Sequence, residues 1–174
     1  VAHVVTPHNT HPLIVMDLLS HGINVFCEKP LAITVNEAKA MIRKSEETGK
    51  RLGVCFQNRM NKATVEAKEI LESGKYGKIL SGMALVTWYR NGSYYSESPW
   101  RGKYSGEGGG CIINQSIHTL DLVDYLTGGV ESLSGFDGKL RDSDDYEVED
   151  SAMALMKLKN GGEVVAFCSN CYLG

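Results

Sequence analysis

The tripeptide Glu28-Lys29-Pro30 places a carboxylate and an ammonium directly behind residues 23–27, a run of strand-forming residues. If that run is a parallel strand, the tripeptide lies at its carboxyl end, where ligands bind in open α/β sheets. Pro30 keeps the backbone of Lys29 extended and makes a cis bond between the two residues feasible. Lys29 could therefore be an aimed cation or proton donor; the alternative is a surface loop in which both charges are only hydrated.

A second candidate lies in residues 114–126, NQSIHTLDLVDYL. If this stretch is one helix, Asn114, His118 and Asp121 follow i, i+4, i+7 spacing and share a face. The arrangement suits His118 as a general acid or base and Asn114 as a hydrogen-bonding partner of a substrate hydroxyl. The alternative is a partly buried histidine that is bonded by Asp121 or by the backbone.

Two other pairs contain metal-ligand residue types. His8 and His11 span a turn and a helix start with no third ligand nearby, so we predict no metal site; a metal-dependent lyase built on them is a third candidate function. Cys168 and Cys171 form a CxxC without a second pair, and the other three cysteines are scattered. We therefore predict reduced, packed thiols and a cytoplasmic protein.

The elements before residue 58 alternate between strand and helix. Strand patterns occur at 1–7, 23–27 and 50–57, and helical patterns occur at 8–22 and 34–49, the latter with an N-cap at Thr34 and a terminal Gly49. This order predicts a parallel βαβαβ unit, part of a Rossmann fold, and the continuous apolar runs predict strands that are covered on both faces.

After residue 58 the pattern changes. A helix is predicted at 62–77, a strand at 79–90, a polar, glycine-rich connection at 91–110 and a helix at 114–129; later strands are joined by turns, including a hairpin at Asn160-Gly161-Gly162. We predict an α/β plus α+β fold: residues 1–58 form the end of a dinucleotide-binding domain, and 59–174 form a substrate-binding domain with an open, mainly antiparallel sheet.

Composition restricts the partners. A net charge of −3 without a basic stripe excludes nucleic acid or an anionic membrane surface as a partner, and no apolar run approaches the roughly 20 residues of a membrane helix. A small molecule is the expected partner. The chain lacks G-x-G-x-x-G and opens within a strand-like run, so we expect it to be truncated and impaired in binding a dinucleotide.

Four blocks together resemble the Gfo/Idh/MocA family of NAD(P)-dependent oxidoreductases. They are VVTPHNTHP, GINVFCEKPLAITVNEA, VCFQNRM, and PWRG followed by GGGCIINQSIHTLDLVDYLTGG. The resemblance implies a Rossmann domain, then a domain whose open sheet commonly mediates homo-oligomers. It also implies hydride transfer between a nicotinamide cofactor, NAD or NADP, and the hydroxyl-bearing carbon of a sugar, nucleotide sugar or cyclitol.

The resemblance also implies roles for individual residues. The catalytic pair is Lys29 and His118. The expected substrate-binding residues are Asn114, Tyr89, Arg90, Tyr95 and Asp121. The expected cofactor-binding residues are Thr6, Pro7, Asn9, His11, Glu28, Lys29, Gln57, Arg59, Trp100 and Arg101.

Two departures from the family pattern matter. Many members have Asp where this chain has Asn114, and an amide cannot serve as a base, so the proton role falls on His118 and Lys29. The NQSIHTLD form resembles the branch that oxidises nucleotide-linked or other substituted sugars, such as UDP-N-acetylglucosamine-type 3-dehydrogenases, and the residues upstream that share this resemblance are Tyr89, Arg90, Tyr94 and Tyr95. The missing glycine-rich turn leaves an alternative open, a non-catalytic scaffold or oligomerisation module that no longer binds NAD(P).

Overall fold

The computed structural model describes residues 1–172 of the 174-residue chain. The strands are β1 (Ala2–Val4), β2 (Val25–Cys27), β3 (Leu52–Val54), β4 (Ser81–Thr87), β5 (Val130–Gly138), β6 (Ser151–Leu158) and β7 (Glu163–Ser169). The α-helices are α1 (His11–Ser20), α2 (Val35–Thr48), α3 (Lys62–Glu72), α4 (Gly92–Ser96), α5 (Tyr104–Glu107) and α6 (Ile117–Thr127). Short 3-10 turns cover His8–Thr10 and Gln57–Met60.

The chain folds into two compact units. The first comprises Val1–Cys55, Asn91–Asn114 and Ser143–Val148; the second comprises Phe56–Arg90, Gln115–Asp142 and the residues from Glu149 onward. Segments from the middle of the chain thus belong to the first unit. The linear division into 1–58 and 59–174 stays a prediction.

The sheet of the first unit confirms the predicted parallel βαβαβ order. Its strands run β1-β2-β3, and α1 and α2 bury Val25 and Cys27 of the central strand. Thr34 caps α2 as predicted: its hydroxyl accepts from the Glu37 amide at 3.2 Å, and the Glu37 carboxylate accepts from the Thr34 amide at 3.1 Å.

The prediction that both faces of these strands are covered is wrong for the described residues. Phe26 alternates with the buried Val25 and Cys27, keeps 36% of its surface exposed and stacks on His3 with ring centroids 5.1 Å apart. The apolar run at 23–27 does not distinguish a strand covered on both faces from one covered on a single face, and only Val25–Cys27 of it form β2.

The second unit contains a four-stranded mixed sheet in the order β4-β7-β6-β5. Its two antiparallel pairings fit the expected antiparallel sheet, and the β4–β7 pairing is parallel. The predicted hairpin is present, since the Leu158 amide donates to the Gly162 carbonyl at 2.7 Å and Gly161 has φ 87°. One sheet face packs in a core that includes Leu120 and Val123 of α6.

The glycine-rich connection contains α4 and α5, two short helices that the sequence did not predict. A Cβ on Gly106 would lie 2.5 Å from the Trp100 carbonyl oxygen, and one on Gly108 would lie 2.5 Å from Cβ of Ile33. Gly108 also has φ 86°, a value that side-chain-bearing residues rarely adopt. Because Gly106 and Gly108 have no Cβ, the backbone on either side of Glu107 can lie close to Trp100 and Ile33.

The prediction of one helix from Asn114 onward is wrong at its start. Cys111–Gln115 form a π-helical turn, and α6 begins only at Ile117 after the N-cap residue Ser116. Asn114 therefore does not lie on the helix that carries His118 and Asp121. A π turn of five residues is too short to leave a pattern of its own in the sequence.

Three features concern the described part of the chain as a whole. None of its helices combines the length and apolar character needed to cross a bilayer. Within residues 1–172 the five cysteines form no disulfide. No group of three His, Cys, Asp or Glu side chains in this range is arranged to hold a metal ion.

Candidate active site

A cleft of about 210 Å³ opens in the first unit where β1 and β2 end. This is the edge of a parallel sheet at which ligands bind. Five residues expected at the cofactor line it together with Asn114, which was expected at the substrate: Thr6, Glu28, Lys29, Trp100 and Arg101. Val5 and His8 complete the wall.

Lys29 is anchored in this cleft by Asn114. Its Nζ donates to the backbone oxygen and to the side-chain Oδ1 of Asn114, both at 2.9 Å. Burial lowers the pKa of Lys29 below its ordinary value, an effect opposed by the charges of Glu28 and Glu107 and assisted by that of Arg101. The Lys29–Pro30 bond is cis.

His11 is not among the residues that line the cleft. It is fully buried, with Nδ1 2.8 Å from the Pro30 carbonyl oxygen and Nε2 2.9 Å from that of Thr6. The imidazole therefore links the segment after β1 to the segment that carries Lys29. Among the expected cofactor residues, Pro7 and Asn9 are also outside the lining of the cleft, and Asn9 is exposed.

A buried carboxylate lies behind Asn114. Glu107 is 1% exposed; its Oε2 accepts from the Gly102 amide at 2.6 Å and its Oε1 accepts from Nδ2 of Asn114. The same Nδ2 donates to the Tyr94 hydroxyl at 3.1 Å. Sequence reasoning missed Glu107, although a charged residue between glycines, in GEGGG, was a visible signal.

His8 is a further residue that the sequence suggested only as a metal ligand. It is almost fully buried, packs on Trp100 at 4.7 Å between ring centroids, and its Nδ1 lies 2.9 Å from the Glu107 carbonyl oxygen. Burial lowers the pKa of His8 to about 4. The ring is therefore neutral near pH 7, and its Nδ1 must carry the hydrogen because a carbonyl only accepts.

Arg101 supplies a second positive charge to the cleft. Its guanidinium stacks on Tyr94 at 4.3 Å from the ring centroid, and its Nε is buried without a hydrogen-bond partner among residues 1–172. A planar, permanently charged donor in this position suits a ligand with carbonyl, phosphate or carboxylate oxygens.

The second unit holds the other predicted residues near α6. Arg59 pairs with Asp121, with Nε 2.8 Å from Oδ2, and its guanidinium stacks on Tyr125. His118 on α6 meets Phe56 edge-on at 6.0 Å between ring centroids, and Gln57 is exposed. The expected cofactor residue Arg59 and the expected substrate residue Asp121 thus bind each other.

The three remaining substrate predictions fall in different environments. Tyr95 is 4% exposed and stacks on Tyr146 at 4.3 Å between centroids, so it is a core residue of the first unit. In the second unit Tyr89 is half-exposed beside Arg141, and the Arg90 carbonyl accepts from Nη2 of Arg141 at 2.6 Å.

Comparison with known families adds the decisive observation. Residues 1–56 match the model of the oxidoreductase family's NAD-binding Rossmann fold, and residues 64–174 match the model of the GFO/IDH/MocA C-terminal domain. This chain belongs to the GFO/IDH/MocA family. The family predicted by the four sequence blocks is therefore confirmed, as are the fold class and the NAD-binding type of its amino-terminal domain.

Relatives of this GFO/IDH/MocA chain include named dehydrogenases. Scyllo-inositol 2-dehydrogenase (NAD(+)) of Bacillus subtilis is 29% identical over 97% of the chain and 48% of that protein. D-glucoside 3-dehydrogenase of Escherichia coli is 29% identical over 93% and 49%. The WlbA dehydrogenase of Bordetella pertussis, solved with NADH and UDP-GlcNAcA, is 32% identical with a TM-score of 0.92, covering 97% of this chain and 51% of that one. The chain spans about half the length of these relatives.

Proposed function

We propose that the protein carrying this GFO/IDH/MocA chain is an NAD(P)-dependent dehydrogenase in which Lys29 exchanges a proton with the reacting hydroxyl. The observation that carries this proposal is the pair of 2.9 Å hydrogen bonds from Lys29 to the two oxygens of Asn114.

The two oxygens of Asn114 determine how Lys29 uses its protons. Both oxygens only accept, so Lys29 donates an N–H to each whether it is charged or neutral. A charged Nζ then keeps one N–H for a ligand, and a neutral Nζ keeps one lone pair in the same tetrahedral position. Lys29 can therefore take a proton from a hydroxyl and return it without rearranging its bonds to Asn114.

The lowered pKa of Lys29 assists this exchange. An amine whose pKa is lowered gives up its proton more readily than an ordinary lysine, which favours its use as a base. Burial provides the lowering, and the nearby carboxylates of Glu28 and Glu107 limit it. The lowered pKa of Lys29 and its place in the cleft thus both favour a role in proton exchange.

The cleft fits one end of a nicotinamide cofactor. Its volume of about 210 Å³ is smaller than the roughly 300–1,000 Å³ of pockets that enclose a whole drug-sized ligand, so it suits a single ring rather than a dinucleotide. Thr6, Glu28, Trp100 and Arg101 would hold that end through polar atoms and the indole face. The bound cofactor would supply the hydride acceptor.

The relatives support one class of substrate. Their names specify a cyclitol, a glucoside and, for the solved complex, a nucleotide-linked sugar acid, all of which carry ring hydroxyls. We propose a polyhydroxylated ring as the substrate, with nucleotide-linked sugars as the first group to test. Within the chain, Arg101 is a suitable partner for an anionic substituent.

The roles of His118, Asp121, Tyr89 and Arg90 rest on the resemblance alone. We propose His118 as an additional acid or base of the reaction. The pairing of Asp121 with Arg59 suggests that this aspartate orients α6 instead of contacting substrate, since both carboxylate oxygens accept from the guanidinium.

Self-association is the second proposed property. In the four-stranded sheet, the residues that alternate with the buried ones form an exposed apolar face, made by Met83, Leu85, Met153, Leu155 and Val165. We propose that a second copy covers this face, because an apolar patch of this extent on a sheet usually marks an interface. Light scattering should detect an oligomer that Leu155→Lys dissociates and Leu13→Glu, at an exposed position on α1, does not.

The enzymatic proposal is tested on the protein that carries this chain, by following NADH or NADPH formation with cyclitols, glucosides and UDP-linked sugars. Cofactor binding is measured separately by calorimetry, so that loss of binding and loss of chemistry are distinguished. Oxidation of any of these rings supports the proposal. If cofactor does not bind and no ring is oxidised, the scaffold alternative replaces it.

A further inference from the structure

Glu107 is a buried carboxylate whose two oxygens are both occupied. Its Oε2 accepts from the Gly102 amide at 2.6 Å and its Oε1 from Nδ2 of Asn114. Burying an ionised carboxylate is costly unless hydrogen bonds compensate it. The two bonds provide that compensation, and one of them ends on the residue that holds Lys29.

The side-chain amide of Asn114 can take two orientations with nearly the same shape. In one, Oδ1 faces Lys29 and Nδ2 faces Glu107; in the other, the two atoms exchange places. Tyr94 does not decide between them, because a hydroxyl both donates and accepts. The carboxylate of Glu107 only accepts, so it requires Nδ2 on its side.

The orientation of the Asn114 amide matters most when Lys29 is neutral. A neutral Nζ has a lone pair that could accept from Nδ2 of a flipped Asn114, and this lone pair would then be unable to take a proton from a ligand. A charged Nζ cannot make that bond. The side-chain amide of Asn114 must therefore be held in one orientation when Lys29 acts as a base.

We propose that Glu107 is the positioning residue of the Lys29 site: its carboxylate keeps Oδ1 of Asn114 turned toward Nζ and so keeps the remaining position of Nζ available to substrate. The catalytic meaning of this proposal rests on the proposed function. The orientation of the amide does not, and it can be measured without any substrate.

The local chain supports a fixed position for Glu107. The flanking residues Gly106 and Gly108 allow approaches to Trp100 and Ile33 that a Cβ would prevent. The Glu107 carbonyl accepts from His8, so the backbone at this residue is also held. The negative charge of Glu107 favours the protonated form of Lys29 against the effect of burial.

The test compares Glu107→Gln with Glu147→Gln. Glu147 is a matched control because its carboxylate accepts from the Tyr104 amide at the start of α5 but does not bond Asn114. In Glu107→Gln, an amide that binds Gly102 through its oxygen turns its NH₂ toward Asn114, which favours the flipped orientation. Glu107→Asp keeps the charge.

The first readout is the titration of Lys29, followed by NMR in protein made with carbon-13 at the lysine Cε and assigned by loss of the signal in Lys29→Arg. We expect the midpoint to fall in Glu107→Gln, to stay in Glu147→Gln and to return toward the native value in Glu107→Asp. Equal midpoints in native protein and folded Glu107→Gln overturn the proposal.

The second readout needs no substitution. In the native protein, the Nδ2 protons of Asn114 should show nuclear Overhauser effects to the Tyr94 ring and none to the Cε protons of Lys29. The reverse pattern overturns the proposal even if the Glu107 variants do not fold.

Activity provides the third readout. In Glu107→Gln we expect kcat to fall by about tenfold or more, with the basic limb of the pH profile shifted and KM for the cofactor unchanged. A normal kcat combined with a shifted Lys29 titration would refute Lys29 as the proton-handling group while leaving the positioning of Asn114 by Glu107 intact.

Discussion

Nζ of Lys29 lies 2.9 Å from each of the two oxygens of Asn114, the backbone carbonyl and Oδ1. Two acceptors from one residue leave the amine a single position for a third partner, in the cleft at the end of the parallel sheet. The side-chain amide of Asn114, at a position where many family members have a carboxylate, thus holds Lys29 in place. On its other side this amide donates a hydrogen bond to the carboxylate of Glu107.

Exchanging the amide and the carboxylate tests this arrangement by a double-mutant cycle. Asn114→Asp alone places a second carboxylate against the buried carboxylate of Glu107, and Glu107→Gln alone places two amides together, so each should lower the free energy of unfolding. The double variant restores one of each, and we expect a favourable coupling of about 1–3 kcal/mol in urea unfolding. Asn114→Asp combined with Glu147→Gln should be additive; additivity in the first pair would contradict the contact.

His118 is expected to contribute to turnover and not to cofactor affinity. His118→Ala should lower kcat by roughly 10²-fold, the typical contribution of a general acid or base, with unchanged calorimetric binding of NAD(H). His21→Ala is the control, since His21 is an exposed imidazole at the end of α1. Unchanged turnover in His118→Ala would remove His118 from the mechanism.

His8 should make the first unit more stable at neutral than at acidic pH. Its pKa is lowered from 6.5 to about 4 in the fold, so the unfolded chain binds the extra proton. The contribution of His8 to the free energy of unfolding is therefore greatest above pH 6.5. It decreases as the pH falls toward 4, by about 2–3 kcal/mol between about pH 7 and pH 4.5.

Urea unfolding followed by Trp100 fluorescence in a Trp88→Phe background measures this loss. His8→Gln should remove most of the pH dependence, because glutamine does not titrate. His21→Gln should leave it in place. An equal pH dependence in native protein and His8→Gln would show that other groups cause it.

Cys27 should resist alkylation in the folded protein. Burial, with a smaller contribution from Glu28, raises the pKa of its thiol to about 12, so very little thiolate exists near pH 8. Mass spectrometry after iodoacetamide treatment should find Cys27 unmodified without urea and modified with it. Rapid modification of the native protein would show that the β2 core opens readily.

Much of the fold could be predicted because it depends on local patterns. The alternation of strand and helix predicted the parallel sheet, and the Thr34 and Glu37 pair predicted where α2 begins. The position of Lys29 after a parallel strand was enough to predict a ligand site there. These features depend on residues close together in the chain.

The contacts around Lys29 could not be predicted in the same way. Asn114 is 85 positions from Lys29 in the sequence. Glu107, whose carbonyl accepts from His8, is 99 positions from His8. Such pairs depend on how the glycine-rich connection packs, which composition does not specify. Tyr95 illustrates the same difficulty, since an aromatic side chain near a site can equally be a core residue, as it is here.

Single-turnover hydride transfer in Lys29→Met shows whether Lys29 handles the proton of the reacting hydroxyl. We expect the transfer rate to fall by at least about 10²-fold with calorimetric cofactor affinity within a few-fold of native, because methionine retains the length but cannot exchange a proton. Lys39→Met, at an exposed position on α2, should be normal. A native transfer rate in Lys29→Met would show that Lys29 does not handle this proton.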